Sequence, residues 1–395
     1  MAKFKISAPG RIVLTGEHIA LHGKTFLATS LNLRTTLEFY ELPNTPKNIK
    51  IEFPNVNLYQ DISLNLVKPF FSLSNVKDII SNPLNLREYV RYLITVEKCM
   101  WTAQHELYSL EIFFFLLYYI AHREHLKIKP FYIKVSTELP VAAGLGSSTS
   151  FAVCLAACFV HWKHVQSGNY NFKFDDADLE SIKTYTEFCE KSTQVYAFGV
   201  DAHVCTYGKV VKCRRTDHKT YNIDSQDMEE MEKMPIILID SKFYHSKTLR
   251  AEQIMKNAVA TDFDNILNTL ELQAINMFRH LKKISDMMEK SILKGESISF
   301  DYVMPHLIFL TQNNQQLLDR YKLSAEAFEN VCKIARMSNL AGKLTGFGGK
   351  YVFVLTPPHI TSEQIFEFMI KLRARSFNPT FTDINCSGAI TLHNS

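Results

Sequence analysis

Apolar and polar positions alternate through much of the first 40 residues, which is typical of β-strands. Residues 3–8 and 11–15 are predicted as two short strands separated by Pro9-Gly10, because proline and glycine commonly interrupt regular structure. Residues 24–40 alternate again and are rich in Thr, Leu and Phe, so they are predicted to form a strand pair. The chain is therefore expected to open with a β-rich segment.

Helical spacing of apolar residues dominates from about residue 86 to about residue 126. The most apolar stretch of the chain lies inside this region, at residues 110–121 (LEIFFFLLYYIA). It is shorter than the roughly 20 residues that a membrane-spanning helix needs, and it carries Glu111. We therefore predict a buried helix here and expect no association with a membrane.

A strand, a loop and a helix are predicted next. Residues 131–140 form a strand that ends at Pro140, and apolar residues recur at helical spacing from Ser147 onward. A further helix is predicted at about 176–193, and residues 198–213 are predicted as a loop followed by strands.

Residues 216–235 are polar and charged, and we predict a domain boundary inside this segment. The boundary divides the chain into an N-terminal domain, residues 1–225, and a C-terminal domain, residues 226–395. The second part is predicted to contain a strand from about 236, helices at about 246–293 and 300–339, a strand, a helix at 362–374 and a terminal strand. The mixture of antiparallel-type strands and clustered helices predicts an α+β fold.

Composition adds limits to this picture. A chain of 395 residues exceeds what one hydrophobic core usually supports, which favours two domains. The net charge of +4 is small and spread out, so no nucleic-acid partner is expected. The eight cysteines form no CxxC pair and no secretory leader is recognisable, which predicts reduced thiols and a cytoplasmic location.

The segment ELPVAAGLGSSTS, residues 138–150, is the first candidate for chemistry. Gly144, Gly146, Ser147 and Ser148 lie where the predicted strand gives way to a helix. The N-terminus of a helix offers unpaired N–H groups to an anion, glycine lets the backbone approach it closely, and hydroxyl oxygens suit Mg²⁺. The alternative is a glycine-rich connection whose serine only caps the helix. The spacing matches neither a P-loop, which needs a following lysine, nor a GxGxxG dinucleotide site.

The segment SAPGRIVLTGEHIALHGK, residues 7–24, concentrates polar side chains at the end of a predicted strand. Arg11, Glu17, His18 and Lys24 are expected to approach one pocket. The His18–His22 spacing resembles a zinc-binding pair, but no HExxH glutamate lies between the two histidines, so no metal is assigned to them.

Two further segments carry candidate residues. Glu190 and Asp201 are acids flanked by apolar residues, which makes Asp201 a candidate base or metal ligand, or alternatively a turn-forming residue. The segment GKLTGFGGKYVFVL, residues 342–355, is a glycine-rich turn that enters an apolar strand. A hairpin turn is the favoured interpretation of this segment taken alone, and the alternative is that its glycines lie beside a bound phosphate.

These motifs, in this order and at these separations, resemble those of the GHMP kinases. The resemblance implies an N-terminal domain of the ribosomal-protein-S5-domain-2 type, a ferredoxin-like C-terminal domain, and ATP bound in the cleft between them. It further implies Mg²⁺-dependent transfer of the γ-phosphoryl group of ATP to the hydroxyl of a small molecule. Within the family, the match is closest to the members that phosphorylate (R)-mevalonate to 5-phosphomevalonate, and a homodimer is a possible assembly.

The resemblance also implies roles for individual residues. Asp201 matches the catalytic aspartate, Arg11 stands where the family typically has a lysine, and Glu190 and Ser148 match the Mg²⁺ ligands. The remaining residues implied are Gly144, Leu145, Gly146, Ser147, Ser148 and Thr149 for ATP, Glu17, His18, Ser246 and Lys247 for the substrate, and Thr345, Gly346, Gly348 and Gly349 as the third glycine motif.

Several positions depart from the family pattern. Arg11 replaces a lysine, Phe347 stands where a small residue is usual, and Lys350 replaces a further glycine. Two alternatives therefore remain open: another small-molecule kinase of the family, or a non-catalytic ligand-binding relative. The retention of Asp201, Glu190 and Ser148 argues against the second alternative, since a protein that only binds its ligand needs none of the three.

Overall fold

A computed structural model of the chain provides the structure. It describes residues 1–97, 99–170, 173–194, 199–215, 223–228, 231, 233–245, 263–294, 303–346, 348–356 and 360–392. The strands are β1 Lys3–Thr15, β2 Phe26–Glu41, β3 Asn48–Phe53, β4 Leu58–Ser63, β5 Phe131–Thr137, β6 Val210–Arg215, β7 Ile223–Asp227, β8 Met234–His245, β9 Ala341–Leu344, β10 Gly349–Leu355, β11 Asn378–Ile384 and β12 Ile390–Leu392. The α-helices are α1 Leu64–Val67, α2 Val76–Ser81, α3 Pro83–Tyr92, α4 Gln104–Arg123, α5 Ser147–Gln166, α6 Asp176–Thr193, α7 Val200–Tyr207, α8 Phe263–Lys294, α9 Val303–Arg320, α10 Glu326–Arg336 and α11 Ser362–Arg373.

The strands of the described residues join into one sheet with the order β4-β3-β5-β2-β11-β8-β10-β9. Beside this path, β1 pairs with β2 and β12, and β6 pairs with β2 and β7. The strand pairs are antiparallel except β3 with β5, which is parallel. A largely antiparallel sheet with clustered helices confirms the predicted α+β class.

The predicted domain boundary at residues 225/226 stays a prediction. Strand β7 spans this position, and the last strand, β12, pairs with β1 at the other end of the chain. The two parts of the sheet meet where Ile384 of β11 lies opposite Leu31 of β2.

Two predictions for the N-terminal segment are wrong. Residues 3–15 form one strand, in which the register with β2 shifts between Pro9 and Gly10. A β-bulge therefore accommodates Pro9-Gly10, which was expected to break the strand. Residues 26–41 likewise form one long strand instead of a strand pair. Pairing with β1 and with β5 holds β2 extended over its length.

The predicted buried helix at residues 110–121 is confirmed as part of α4. Phe113, Phe114 and Phe115 are fully buried, and α4 shares its core with Phe159 and Trp162 of α5. Glu111 lies in this apolar surrounding with only 1% of its surface exposed. Among the helices that the structure describes, none is long and apolar enough to cross a membrane.

Residues 200–207, predicted as the loop before a strand, form the helix α7. Gly199 precedes it with φ 73°, a left-handed conformation that suits glycine. Residues 200–206 are all buried, so α7 has no polar face that would reveal helical periodicity in the sequence. The consequence for the site is that Asp201 stands in the first turn of a helix.

Candidate active site

Helix α5 begins at the glycine-serine loop. Its N-cap is Gly146, with φ 77° and ψ 23°, and no side chain caps the helix. The alternative in which a serine only caps α5 is therefore wrong. Ser147 and Ser148 lie half-buried in the first turn, where the N–H groups of a helix have no intrahelical partners. This end of α5 can receive an anion.

The third glycine motif packs backbone to backbone against this loop. A Cβ atom on Gly144, which has φ +82°, would lie 1.8 Å from the Gly348 carbonyl oxygen. One on Gly349 would lie 2.3 Å from the Ala143 oxygen, and one on Gly346 would lie 2.7 Å from the Gly144 oxygen. The two segments, some 200 residues apart in the sequence, can therefore contact each other only because glycine stands at these positions. Phe347 lies outside the described residues.

Arg11 connects β1 to the glycine-serine loop and to α7. Its backbone N–H donates to the Leu145 carbonyl at 2.9 Å, and Nη1 donates to the Gly144 carbonyl at 3.3 Å. Nη2 donates to Oδ2 of Asp201 in a close ion pair. Arg11 and Asp201 are only 4% and 5% exposed. The structure thus brings together the predicted catalytic aspartate, the predicted cation and the glycine-serine loop.

Asp201 is only half satisfied. Its Oδ2 accepts the bond from Arg11, whereas Oδ1 is buried and accepts no hydrogen bond from the residues that the structure describes. A buried carboxylate oxygen without a partner is costly, so proteins rarely keep one without a use. A substrate hydroxyl is a donor that fits this oxygen.

Glu190 lies in the last turn of α6 and faces the first turn of α5. Its Oε1 accepts a hydrogen bond from the Thr149 hydroxyl and another from Gln194 Nε2 at 2.8 Å. Ser148 precedes Thr149 on α5. Carboxylate and hydroxyl oxygens are the donors that Mg²⁺ prefers, so this set fits the ion. Among the described residues no three His, Cys, Asp or Glu side chains form a metal cluster, so a Mg²⁺ here would also need phosphate oxygens.

A second buried ion pair joins the other predicted motifs. Lys343 Nζ lies 2.5 Å from Glu17 Oε1, and both side chains are at most 1% exposed. Thr345 adds two bonds to β1: Val13 N–H donates to Oγ1 at 2.9 Å, and the hydroxyl donates to the Val13 carbonyl at 2.8 Å. These contacts hold the third glycine motif against β1. No pattern in the sequence identified Lys343 as a candidate site residue.

The four polar residues predicted to share one pocket have separate partners. Arg11 pairs with Asp201 and Glu17 with Lys343, whereas Lys24 Nζ contacts α8 through Asn268 Oδ1 at 2.7 Å and Glu271 Oε2 at 3.2 Å. His18 is buried and lines a small apolar cavity whose wall includes Phe263, Leu267, Leu270, Tyr321 and Leu323. Ser246 and Lys247 lie outside the described residues.

A largely apolar cavity of about 460 Å³ adjoins the N-terminus of α5. Ser147 and Ser148 line it together with Asn55, Tyr108 and Phe151. Asn55 is fixed by two bonds to the backbone of Thr137, at 2.9 and 3.0 Å. Burial raises the pKa of Tyr108 well above its usual range, so its hydroxyl stays protonated. Sequence reasoning missed Asn55 and Tyr108, because neither stands in a recognisable motif.

Comparison with known proteins agrees with this geometry. Residues 114–209 match the family model described as GHMP kinases N terminal domain. The mevalonate kinase of Homo sapiens is 26% identical over an alignment of 402 positions, gaps included, that covers 99% of this chain and 95% of that protein. The crystal structure of the Methanococcus jannaschii mevalonate kinase has a TM-score of 0.66 at 16% identity and covers 99% of both chains. That of the L. major enzyme, in complex with R-mevalonate, has a TM-score of 0.61 at 14% identity and covers 98% of this chain and 97% of that one.

The chain has the fold of solved mevalonate kinase structures, and its residues 114–209 resemble the N-terminal domain of the GHMP kinases. Among the curated relatives, the mevalonate kinases of Homo sapiens and Dictyostelium discoideum match 99% and 94% of the chain.

Proposed function

We propose that this protein is a mevalonate kinase, which uses ATP and Mg²⁺ to phosphorylate the primary hydroxyl of (R)-mevalonate and gives 5-phosphomevalonate. The observation that carries the proposal is the buried Arg11–Asp201 pair, held against the carbonyl groups of Gly144 and Leu145 at the N-terminus of α5. The choice of mevalonate among the small alcohols rests on the named relatives that match nearly the whole chain.

The nucleotide fits the loop and the cavity beside it. The triphosphate would lie at the N-terminus of α5, where free N–H groups and the positive end of the helix dipole favour negative charge. The adenosine part would occupy the apolar cavity that Asn55, Tyr108 and Phe151 line, since it directly adjoins Ser147 and Ser148. The contact between the two glycine motifs fixes the loop before any ligand binds.

The Mg²⁺ ion would be held by Glu190 and Ser148 together with phosphate oxygens. When bound, it neutralises part of the charge on the phosphates during phosphoryl transfer. Thr149 and Gln194 each donate to Glu190, which fixes its carboxylate at the end of α6. The protein would thus supply Glu190, already held in place, and Ser148 as ligands, and the nucleotide and water would supply the others.

Asp201 is the group that acts on the substrate hydroxyl. Its unpaired Oδ1 would accept the hydroxyl proton, and the Arg11 guanidinium on Oδ2 holds the carboxylate in one orientation. A positioned general base contributes about 10²- to 10⁴-fold to the rate. Arg11 also places a positive charge between the glycine-serine loop and Asp201. This charge would take the place of the lysine that a P-loop supplies.

We assign the mevalonate end to His18, Ser246 and Lys247, as implied by the family resemblance. We assign Glu17 to the same role: Lys343 holds its Oε1, and its Oε2 is buried with no partner among the described residues, so Oε2 is an acceptor for a substrate group.

We further propose that the kinase acts in the cytoplasm, without nucleic-acid or membrane partners, and forms a homodimer. All eight cysteines are free and seven are buried, as suits a reducing compartment. The oligomeric state can be measured by light scattering of the purified chain.

The deciding experiment is a steady-state assay with ATP and Mg²⁺ on mevalonate, galactose and homoserine in parallel. We expect turnover on mevalonate alone and a product whose mass increases by one phosphoryl group. Turnover on galactose or homoserine instead would assign the chain to another kinase of the family. ATP binding without turnover on any of the three would favour a non-catalytic relative.

A further inference from the structure

The apolar helix α4 carries a buried carboxylate that the proposed mechanism does not use. Glu111 stands among core side chains, yet both of its oxygens are occupied. Oε2 accepts a hydrogen bond from Arg87 Nε at 3.3 Å, and Oε1 pairs closely with Arg91 Nε. Both arginines come from α3, so the carboxylate fastens α3 to α4.

Arg87 makes one contact that Arg91 lacks. Its Nη1 donates to the backbone carbonyl of Ser192 at 2.6 Å. Ser192 lies in the last turn of α6, where carbonyl groups have no intrahelical donor and a cation is favourable. Glu111 orients the guanidinium, and the guanidinium binds the end of α6.

The end of α6 is where Glu190 stands, two residues before Ser192. The Glu190 carboxylate is bound by Thr149 of α5 and by Gln194, the residue directly after α6. The position of this last turn relative to α5 therefore determines where the carboxylate lies relative to Ser148. Among the residues that the structure describes, Arg87 provides a side-chain hydrogen bond from α3 to that turn.

We propose that Arg87, anchored by Glu111, is a positioning residue for the metal site: it fixes the last turn of α6 so that Glu190 and Ser148 face the same ion. The inference rests on the proposed function, because it takes Glu190 and Ser148 as Mg²⁺ ligands. Partners that orient metal ligands without touching the metal commonly change metal affinity by about 10- to 100-fold when they are removed.

The neighbouring arginine provides a matched control. Arg87→Met and Arg91→Met each remove one cation from Glu111, but only the first also removes the bond to Ser192. The measurement is the loss of the paramagnetic resonance signal of free Mn²⁺ on adding protein, beyond the loss that a non-hydrolysable ATP analogue causes alone. Thermal denaturation of the same samples reports the general loss of packing.

We expect Arg87→Met to weaken Mn²⁺ binding by about 10-fold, and Arg91→Met to bind Mn²⁺ as the unmodified protein does. Equal affinities in the two variants, with or without equal losses of Tm, would overturn the proposal and leave both arginines with a purely structural role. If Arg87→Met does not fold, the pair Arg87→Lys and Arg91→Lys is compared instead. The Arg87 variant is again expected to bind Mn²⁺ more weakly, and equal affinities would again overturn the proposal.

The unmodified protein separates this inference from the proposed function. If it fails to bind Mn²⁺ with the nucleotide analogue, the assignment of Glu190 and Ser148 as ligands is wrong. If it binds and the two arginine variants do not differ, only the role of Arg87 is wrong.

Discussion

Among the residues that the structure describes, the buried carboxylates of Glu111 and Asp201 are paired with arginine, and they differ in which oxygens remain without a partner. Glu111, in the core between α3 and α4, has an arginine on each oxygen. Asp201, at the start of α7, has Arg11 on Oδ2 and no partner among the described residues on Oδ1. Glu111 is fully satisfied within the fold, whereas Asp201 retains an acceptor for a further group.

This difference separates structural from chemical use of the same kind of ion pair. Removing one partner of a buried pair is costly wherever it occurs, because it leaves an uncompensated charge. Only a pair with an open oxygen can also take part in a reaction. Substitutions at Glu111 should therefore mainly affect folding, with a smaller effect on turnover through Arg87, and substitutions at Asp201 should mainly affect turnover.

The largest expected effect is at Asp201. Asp201→Asn keeps an oxygen for Arg11 but cannot accept a proton, so kcat is expected to fall by about 10²- to 10⁴-fold. Binding of a non-hydrolysable ATP analogue should persist, which calorimetry can measure. An Asn variant that turns over normally would rule out Asp201 as the base.

The next effect is at Arg11. Arg11→Ala is expected to lower kcat by about 100-fold, since it removes a cation from the phosphate loop and leaves Asp201 unpaired. Arg11→Lys should lose less activity, because an ammonium group keeps the positive charge. Some loss should remain, since an ammonium group cannot bond to Asp201 and Gly144 in the way that the planar guanidinium does. Steady-state kinetics compare the two variants, and circular dichroism checks that both fold. Equal losses would mean that the fork, and not the charge, is required.

Two glycines extend the comparison to the backbone at the two ends of α5. Gly144 and Gly168 both have φ +82°, but a Cβ on Gly144 would lie 1.8 Å from Gly348 O, whereas nothing lies within 4 Å of one on Gly168. Gly168→Ala should lower the free energy of unfolding by about 1–2 kcal/mol, because alanine is strained in the left-handed conformation and meets no other obstacle.

Gly144→Ala should in addition separate the two glycine motifs and raise the KM for ATP. Urea denaturation and ATP titrations of both variants give the comparison. If the two alanine variants have the same KM for ATP, the contact between the motifs does not shape the nucleotide site.

The smallest effect on turnover is expected at Glu111. Glu111→Gln weakens two charge-assisted bonds, and the arginines are partly exposed, so we expect a loss of about 2 kcal/mol in the free energy of unfolding. Because the amide oxygen can still accept from Arg87, which keeps its bond to Ser192, kcat should fall far less than in the Asp201 and Arg11 variants. A variant of normal stability but low kcat would reverse the distinction between the two carboxylates.

The sequence was sufficient for motifs whose residues are close together along the chain. The glycine-serine loop, the start of α5 and the end of α6 were predicted from local patterns, and α4 from its apolar spacing. Helix α7 was missed because burial on every side removes the periodic signal. The continuous strand β1 was missed because a bulge accommodates Pro9-Gly10.

Contacts between distant segments could not be predicted from local pattern. Lys343 lies 326 positions from Glu17, and its burial depends on how β9 packs near the end of β1. The bond from Thr149 to Glu190 and the contact of Gly144 with Gly348 likewise exist only once the helices and the sheet are assembled. The sequence predicted candidate site residues, and the fold determines which of them touch.

The pairing of β1 with β12 has a consequence for biosynthesis. Arg11 lies on a strand that pairs with residues 390–392, and the loop at Gly144 is completed by Gly348 and Gly349. Residues 390–392 must therefore leave the ribosome before β1 can pair with β12, and residues 348–349 must do so before the loop gains its packing surface. Such distant pairings form slowly, so the edge of β1 that β12 covers stays unpaired during much of synthesis.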